Sequence, residues 1–325
     1  MSKGFIQIEK VAKHFPVKGS LAAFLSGGQV YVRAVDGVSF EVRPREILGL
    51  AGESGCGKST LGRLLAFFDT PTSGTIRFKG TKLNEFMKRE SKLREFRKNV
   101  QMILQDPYES LDPRYTVQDT ILEPLKIHAI RSKSEIQERM LRILDVVGLA
   151  STDVLNKFPH ELSGGQRQRV SIARAMILEP EFVIADEPVS MLDVSVRAGI
   201  LKLFSSLRDQ LGIACLFISH DLAVMRYLCD RIAIMYMGKM VEVGTRDEII
   251  DAPMHPYTIA LISAVPVPDP HYERESVPAS GEVPDALHVP SGCRFHPRCR
   301  SVKEICRSEE PVLKLKDGRQ VACFL

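Results

Sequence analysis

No stretch of this 325-residue chain approaches the roughly 18 consecutive apolar residues needed to cross a bilayer, so it is not expected to span one. The opening residues, MSKGFIQIEKVAKHF, lack both an uninterrupted apolar run and a small-residue cleavage site. That argues against a signal peptide and makes the cytoplasm the expected compartment. Charge of one sign is scarce too: Lys and Arg total 44 against 40 Asp and Glu, and a surplus of +4 is too weak to argue for nucleic acid as a partner. Apolar residues at 44% and charged residues at 26% exclude a largely disordered chain. In a reducing compartment, the seven cysteines suggest metal ligands or buried packing residues rather than disulfides.

A single hydrophobic core stops growing at roughly 250–300 residues, so two compact regions are expected. Ten of the 19 prolines follow Asp251 and four of the seven cysteines follow Pro290. The boundary is therefore placed near Asp251, with residues 1–250 as one domain and 251–325 as a small Cys-bearing extension. Before that point, short apolar runs of buried-strand length (Glu46–Leu50, Phe182–Ala185 and Ala214–Ile218) alternate with amphipathic stretches. One of these, Glu135–Gly148, sets Ile136, Met140, Ile143 and Val147 at helical spacing and ends in a glycine suited to a C-cap. Strands alternating with helices imply an α/β domain with a mainly parallel sheet. Thr81–Asn99, with seven Lys/Arg against three Glu, reads as a solvated helix face before a docking surface for an acidic partner.

The sequence Gly52-Glu53-Ser54-Gly55-Cys56-Gly57-Lys58-Ser59, followed by Thr60, matches G-x-x-x-x-G-K-[ST] behind the apolar run Ile47–Ala51. The glycines let backbone N–H groups turn inward around phosphate oxygens, and a helix from about Lys58 adds its positive N-terminal dipole. Lys58 reaches the β- and γ-phosphates in such a loop, and Ser59 offers a hydroxyl to Mg²⁺. The motif implies a nucleoside triphosphate without separating kinases, GTPases and transport ATPases. Alkylation of Cys56, inside the cradle, is expected to block binding sterically. A second acidic element follows the run Phe182–Ala185: Asp186 suits Mg²⁺ at a buried strand end, and Glu187 suits the proton of an attacking water. Two adjacent acids there would be costly without a metal.

Leu162-Ser163-Gly164-Gly165-Gln166 lies shortly before Asp186 and opens a helix over Gln166–Ile177. With it the chain resembles the ATP-binding cassette (ABC) family over roughly residues 5–250. The resemblance implies a RecA-like P-loop NTPase core with an ABC β-subdomain and a helical signature subdomain. It also implies that Ser163–Gln166 face the γ-phosphate of ATP held by another cassette, so that hydrolysis needs a dimer. Gln105 resembles the Q-loop glutamine that senses Mg²⁺ and links to the membrane partner, Asp193 the D-loop aspartate that crosses between subunits, and His220 the switch histidine at the γ-phosphate. The adenine-stacking aromatic is Phe15 if Pro16–Val30 is a loop insertion, and Tyr31 otherwise. Arg45 stands where many relatives have glycine, a departure that touches only a turn.

Cys293, Cys299, Cys306 and Cys323 supply four thiols without the C-x2–4-C pairs usual for zinc. The wider spacing is compatible with a four-thiolate iron–sulfur cluster, and a tail poor in core residues needs such a staple. His255-Pro-Tyr, Ala264-Val-Pro266 and Gly292-Cys-Arg-Phe-His-Pro-Arg-Cys299 resemble the C-terminal extension of dipeptide and oligopeptide importer ATPases. That resemblance implies a [4Fe-4S] cluster, and as partners a second ATPase (a paralogue or a copy), two permease subunits and indirectly an extracytoplasmic solute-binding protein. The expected place is the cytoplasmic face of the membrane, away from nucleic acid. Import of nickel or oligosaccharide, a soluble cassette protein working on ribosomes or nucleic acid, and a small-molecule P-loop kinase are the other readings. The kinase leaves Leu162–Gln166 unexplained.

Overall fold

A computed structural model describes residues 5–17, 30–149, 152–265, 281 and 284–325. In chain order the strands are β1 (Ile6–Pro16), β2 (Tyr31–Val42), β3 (Ile47–Ala51), β4 (Ser73–Phe78), β5 (Thr81–Lys82), β6 (Val100–Ile103), β7 (Phe182–Asp186), β8 (Ala214–Ile218), β9 (Arg231–Tyr236), β10 (Lys239–Thr245), β11 (Lys314–Lys316) and β12 (Arg319–Val321). Their contacts divide the chain into two compact units, each drawn from separate segments. One comprises Met1–Phe5, Val42–Ile47 and Thr81–Ile218; the other comprises Ile6–Glu41, Leu48–Gly80 and Ser219–Leu325.

The first unit holds β6, β7 and β8 side by side and parallel. Every residue of β7 and β8 is buried, which is why both read as unbroken apolar runs rather than as alternating patterns. The helices Val117–Ile127 and Lys133–Val147 pack on Gly164–Met176. Lys133–Val147 buries Met140, Ile143 and Val147 and ends at Gly148 in the left-handed region (φ 66°), the cap expected for it. Arg45 also lies in that region, at φ 58°, a conformation that costs a side chain more than it costs glycine. Around Glu90–Asn99 the charged side chains are largely exposed, while Phe96 is buried against Phe86 at a ring separation of 5.2 Å.

In the second unit a sheet runs β11-β12-β10-β9-β3, with β3 parallel to β9 and the other neighbours antiparallel. Met237 and Gly238 join β9 to β10, both at positive φ (43° and 81°), as a tight hairpin requires. A separate sheet places β1 between β2 and β4. The extension beyond residue 284 adds β11 and β12 to the sheet that carries β3, so the expected parallel sheet acquires an antiparallel edge. That edge had no apolar run to announce it: β11 is exposed throughout.

Candidate functional site

The residues singled out in the sequence are spread over both units: residues 52–60, His220, Phe15 and the four tail cysteines lie in the second, and Gln105, Asp186, Glu187, Ser163–Gln166 and Asp193 in the first. In the second, β3 runs into residues 52–57 and out into the helix Lys58–Leu65. The loop tolerates only glycine at two points. A Cβ on Gly52 (φ 153°) would lie 2.2 Å from the Met235 carbonyl oxygen, and one on Gly57 (φ 106°) would lie 1.9 Å from that of Ala34. Lys58 is buried at 5% exposure, and its Nζ donates to the carbonyls of Gly52 at 2.7 Å and Glu53 at 2.9 Å. An ammonium held by neutral carbonyls keeps its whole charge for an anion. Ser54, Gly55 and Ser59 are exposed, and Thr60 is half-buried. Cys56 is instead buried, and burial pushes its thiol up. Alkylation there meets a protonated, shielded sulfur, which makes Cys56 a poor target for the modification expected from the sequence.

Ser219 donates its N–H to the Leu50 carbonyl of β3 at 3.2 Å, and the exposed His220 follows it. Asp221 then caps the helix Leu222–Leu228 by accepting from Ala223 and Val224 N–H at 2.9 and 3.3 Å. Phe15 on β1 and Tyr31 at the start of β2 are both exposed aromatics. The Lys13 ammonium sits 5.0 Å from the Phe15 ring centroid. Val17 N–H donates to the Val30 carbonyl at 2.9 Å, close in sequence to both aromatics, while residues 18–29 lie outside the described residues, and with them most of the segment whose nature would choose between the two.

In the first unit β7 ends in Asp186, buried at 6% exposure. Glu187 steps into the left-handed region at φ 45°, an unfavourable conformation for a side chain. Its N–H donates to the Ile218 carbonyl at 2.9 Å, and its carbonyl accepts from Ser190 N–H at 3.2 Å and Oγ at 3.0 Å. The break in the strand leaves the Glu187 carboxylate to accept from Gln105 Nε2 at 3.2 Å, so residues 82 apart in sequence meet.

Leu162 is buried, and Ser163 caps the helix Gly164–Met176, which begins two residues earlier than expected. Ser163 Oγ accepts from Gln166 N–H at 3.3 Å while Gln166 Oε1 accepts from Ser163 N–H at 3.0 Å. This reciprocal cap leaves the N–H groups of Gly164 and Gly165 outside it. A Cβ on Gly165 would meet Val196 Cγ1 at 2.5 Å, so the close approach of the helix Val194–Leu211 demands glycine. Asp193 is exposed at the start of that helix, beside the exposed Met191 and Val194.

The ABC transporter family profile matches residues 35–190, and the oligopeptide/dipeptide transporter C-terminal region matches residues 241–306. Over 100% of its length the chain is 47% identical to the probable peptide ABC transporter ATP-binding protein y4tS of Sinorhizobium fredii, covering 91% of that protein. The chain belongs to the ABC transporter family. Other relatives of this ABC ATPase include the dipeptide transport ATP-binding protein DppF of Escherichia coli (44% identity, 100% of this chain and 95% of that one). The oligopeptide transport ATP-binding protein AppF of Bacillus subtilis is also 44% identical, over 98% of this chain and 97% of its own. Among solved structures, cbiO1 of Clostridium perfringens, part of the ABC transporter complex cbiONQ, shares the fold with a TM-score of 0.65 at 24% identity, covering 77% of this chain and 92% of that one. The dimeric post-hydrolysis cassette MJ0796 bound to ADP and Pi aligns at a TM-score of 0.64 and 26% identity, over 74% of this chain and 98% of its own. Membership makes the enzyme class that of an ATP hydrolase and closes the kinase reading.

All seven cysteines of the ABC chain are free thiols, and Cys293, Cys299, Cys306 and Cys323 line one small pocket with His255 and His296. Burial pushes the Cys293 thiol up to about 11, and it also raises Cys299 and Cys323, with the neighbouring sulfurs adding to each shift. Among the described residues, however, no group of three or more His, Cys, Asp or Glu side chains is arranged to hold a metal ion. The expected [4Fe-4S] site is thus four thiols converging on a pocket, without a formed ligand cage. Also among the described residues, no helix is long and apolar enough to cross a membrane.

Sequence reasoning missed the groups behind the loop. Arg298 Nη1 and Nη2 donate to the Glu53 carboxylate at 2.7 and 2.9 Å, and Glu53 N–H donates to Tyr257 Oη at 2.8 Å. The available signal was Glu53 itself, an acid in a loop built for anions, which needs a cation close by.

Proposed function

We propose that this ABC ATPase is the peripheral subunit that drives peptide import through a membrane permease, working on the cytoplasmic face. The observation that carries the reading is full-length similarity to proteins named for peptide, dipeptide and oligopeptide transport, joined to the matching C-terminal region. Residues 1–250 form the cassette and 251–325 its subgroup-specific extension. The partners are a second ATPase, a paralogue or a second copy, two permease subunits and, through them, a solute-binding protein.

ATP lies between residues 52–60 of one cassette and Ser163–Gln166 of the other. Phe15 stacks on adenine. Lys58 exchanges its two carbonyl partners for β- and γ-phosphate oxygens, while Gly164 and Gly165 of the opposing cassette donate N–H to the γ-phosphate. The glycine cradle and a buried strand-end carboxylate suit a magnesium nucleotide. Ser59, Gln105 and Asp186 would hold Mg²⁺, which supplies charge neutralisation at the phosphates. Glu187 takes the proton from the water that attacks the γ-phosphorus in line as the bond to the β-phosphate oxygen breaks. His220 hydrogen-bonds the γ-phosphate, and Asp193 reaches across the dimer. Gln105, bound here to Glu187 at 3.2 Å, ties the base to residues 106–130, through which closure pulls on the permease.

In the extension, the four thiols would serve as thiolate ligands of a [4Fe-4S] staple. The support is their shared pocket, and the pocket would have to rearrange to form the cage. Anaerobically purified protein should then be brown with about four irons per chain; colourless, iron-free protein prepared that way overturns this part alone. The transport reading is tested by purification from detergent-solubilised membranes and by peptide uptake in cells lacking the chain. Permease subunits should co-purify and uptake should fall; co-purification with ribosomes and unchanged uptake would refute it.

A further inference from the structure

The first variable residue of the loop is held on every side. Glu53 donates its N–H to Tyr257 Oη (2.8 Å), its carbonyl accepts from Lys58 Nζ (2.9 Å), and its carboxylate takes both arms of Arg298 (2.7 and 2.9 Å). The two-armed pair is of the strong, directional kind, and little of it is open to screening: the side chain of Arg298 is 8% exposed and that of Glu53 28%. The guanidinium is itself fixed. It lies 5.8 Å from the Tyr236 ring centroid, and Tyr236, Tyr257 and Phe295 pack as a trio with separations of 4.6 to 5.3 Å. Arg294, directly before Phe295, binds the Asp36 carboxylate on β2 and the Met237 carbonyl in the β9–β10 hairpin. The short segment Cys293–Cys299 therefore grips the strands through Arg294 and the loop through Arg298.

We propose that Arg298 is a positioning residue for nucleotide binding, which keeps the Glu53 carboxylate away from Lys58. The carboxylate belongs to the residue whose own carbonyl already holds Lys58 Nζ at 2.9 Å, so once released it comes within side-chain reach of that ammonium. There it would neutralise the charge meant for the triphosphate and place a negative group beside it. Arg298 removes this internal competitor, and the extension thereby forms the back wall of the cradle. The inference rests on the reading that residues 52–60 bind nucleotide, and wild-type binding tests that reading by itself.

The experiment is MgATP binding to the purified full-length chain, with thermal unfolding run alongside to confirm folding. Arg298→Gln should raise Kd by about 5- to 30-fold. Glu53→Gln/Arg298→Gln, which removes the competitor as well, should return to within about 2-fold of wild type, a rescue that loss of a mere structural brace does not give. Unchanged affinity in Arg298→Gln, or a double variant as weak as the single one, overturns the proposal. Should Arg298→Gln fail to fold, Arg298→Lys carries the test: it keeps the charge but loses the fork, and should raise Kd by about 2- to 5-fold. An unchanged Kd there also overturns it. Wild-type protein that binds no MgATP would instead sink the nucleotide reading.

Discussion

At Glu187 the backbone pays for the placement of one carboxylate. The residue sits at φ 45° with its N–H on the Ile218 carbonyl, and its carboxylate rests on the Gln105 amide. Glu187→Gln keeps the shape and removes the base, so phosphate release should fall by about 10²–10⁴ while nucleotide still binds; hydrolysis at the wild-type rate would remove Glu187 from that role. His255 makes a different kind of prediction. It is buried, accepts Tyr257 N–H at Nδ1 (3.0 Å), and is pushed down to about 4 by burial. The unfolded chain binds this proton below about 6.5 and the folded one only near 4, so stability is full above that upper value and drains as pH falls between the two, by on the order of 3 kcal/mol. Urea midpoints at pH 7 and 5 should differ more for wild type than for His255→Asn, which retains an acceptor; equal pH dependence would remove His255 as the source.

Elements carried their own signals where local chemistry set them. Lys133–Val147 was legible because its apolar spacing and its terminal glycine agree, and β7 and β8 because buried parallel strands are apolar on both faces. The cap at Ser163 was legible as a helix start but two residues late, since Gly164 and Gly165 are weak helix formers and the place of Gly165 is decided by the close approach of Val196. Ser163→Ala should cost the helix Gly164–Met176 about 1 kcal/mol, read as a lower urea midpoint in the absence of nucleotide. No change there would mean that the cap is not holding the helix. The partners of Glu53 were not legible: Tyr257 and Arg298 lie 204 and 245 residues away, and no local pattern encodes contacts at such separations. The strands β11 and β12 were hidden for a related reason: at three residues each, Lys-Leu-Lys and Arg-Gln-Val, neither offers an apolar run.

At the scale of the whole molecule, each unit carries half of what the proposed reaction uses: the cradle and His220 in one, Gln105, Asp186, Glu187 and the Ser163 loop in the other. In the proposed scheme, Glu187→Gln trapped with MgATP should run as a dimer, with itself or with a paralogous ATPase, in size exclusion with light scattering. A strictly monomeric species in both mixtures would count against the sandwich. The second unit also has an order of construction. Its strand β3 and the loop behind it are made early, yet β9 and β10, and then β12 and Arg298, come only after the long run Thr81–Ile218 has been synthesised. During translation the loop must therefore wait, unbraced, for partners that emerge from the ribosome much later, and this long-range closure should be a slow step in the chain's maturation.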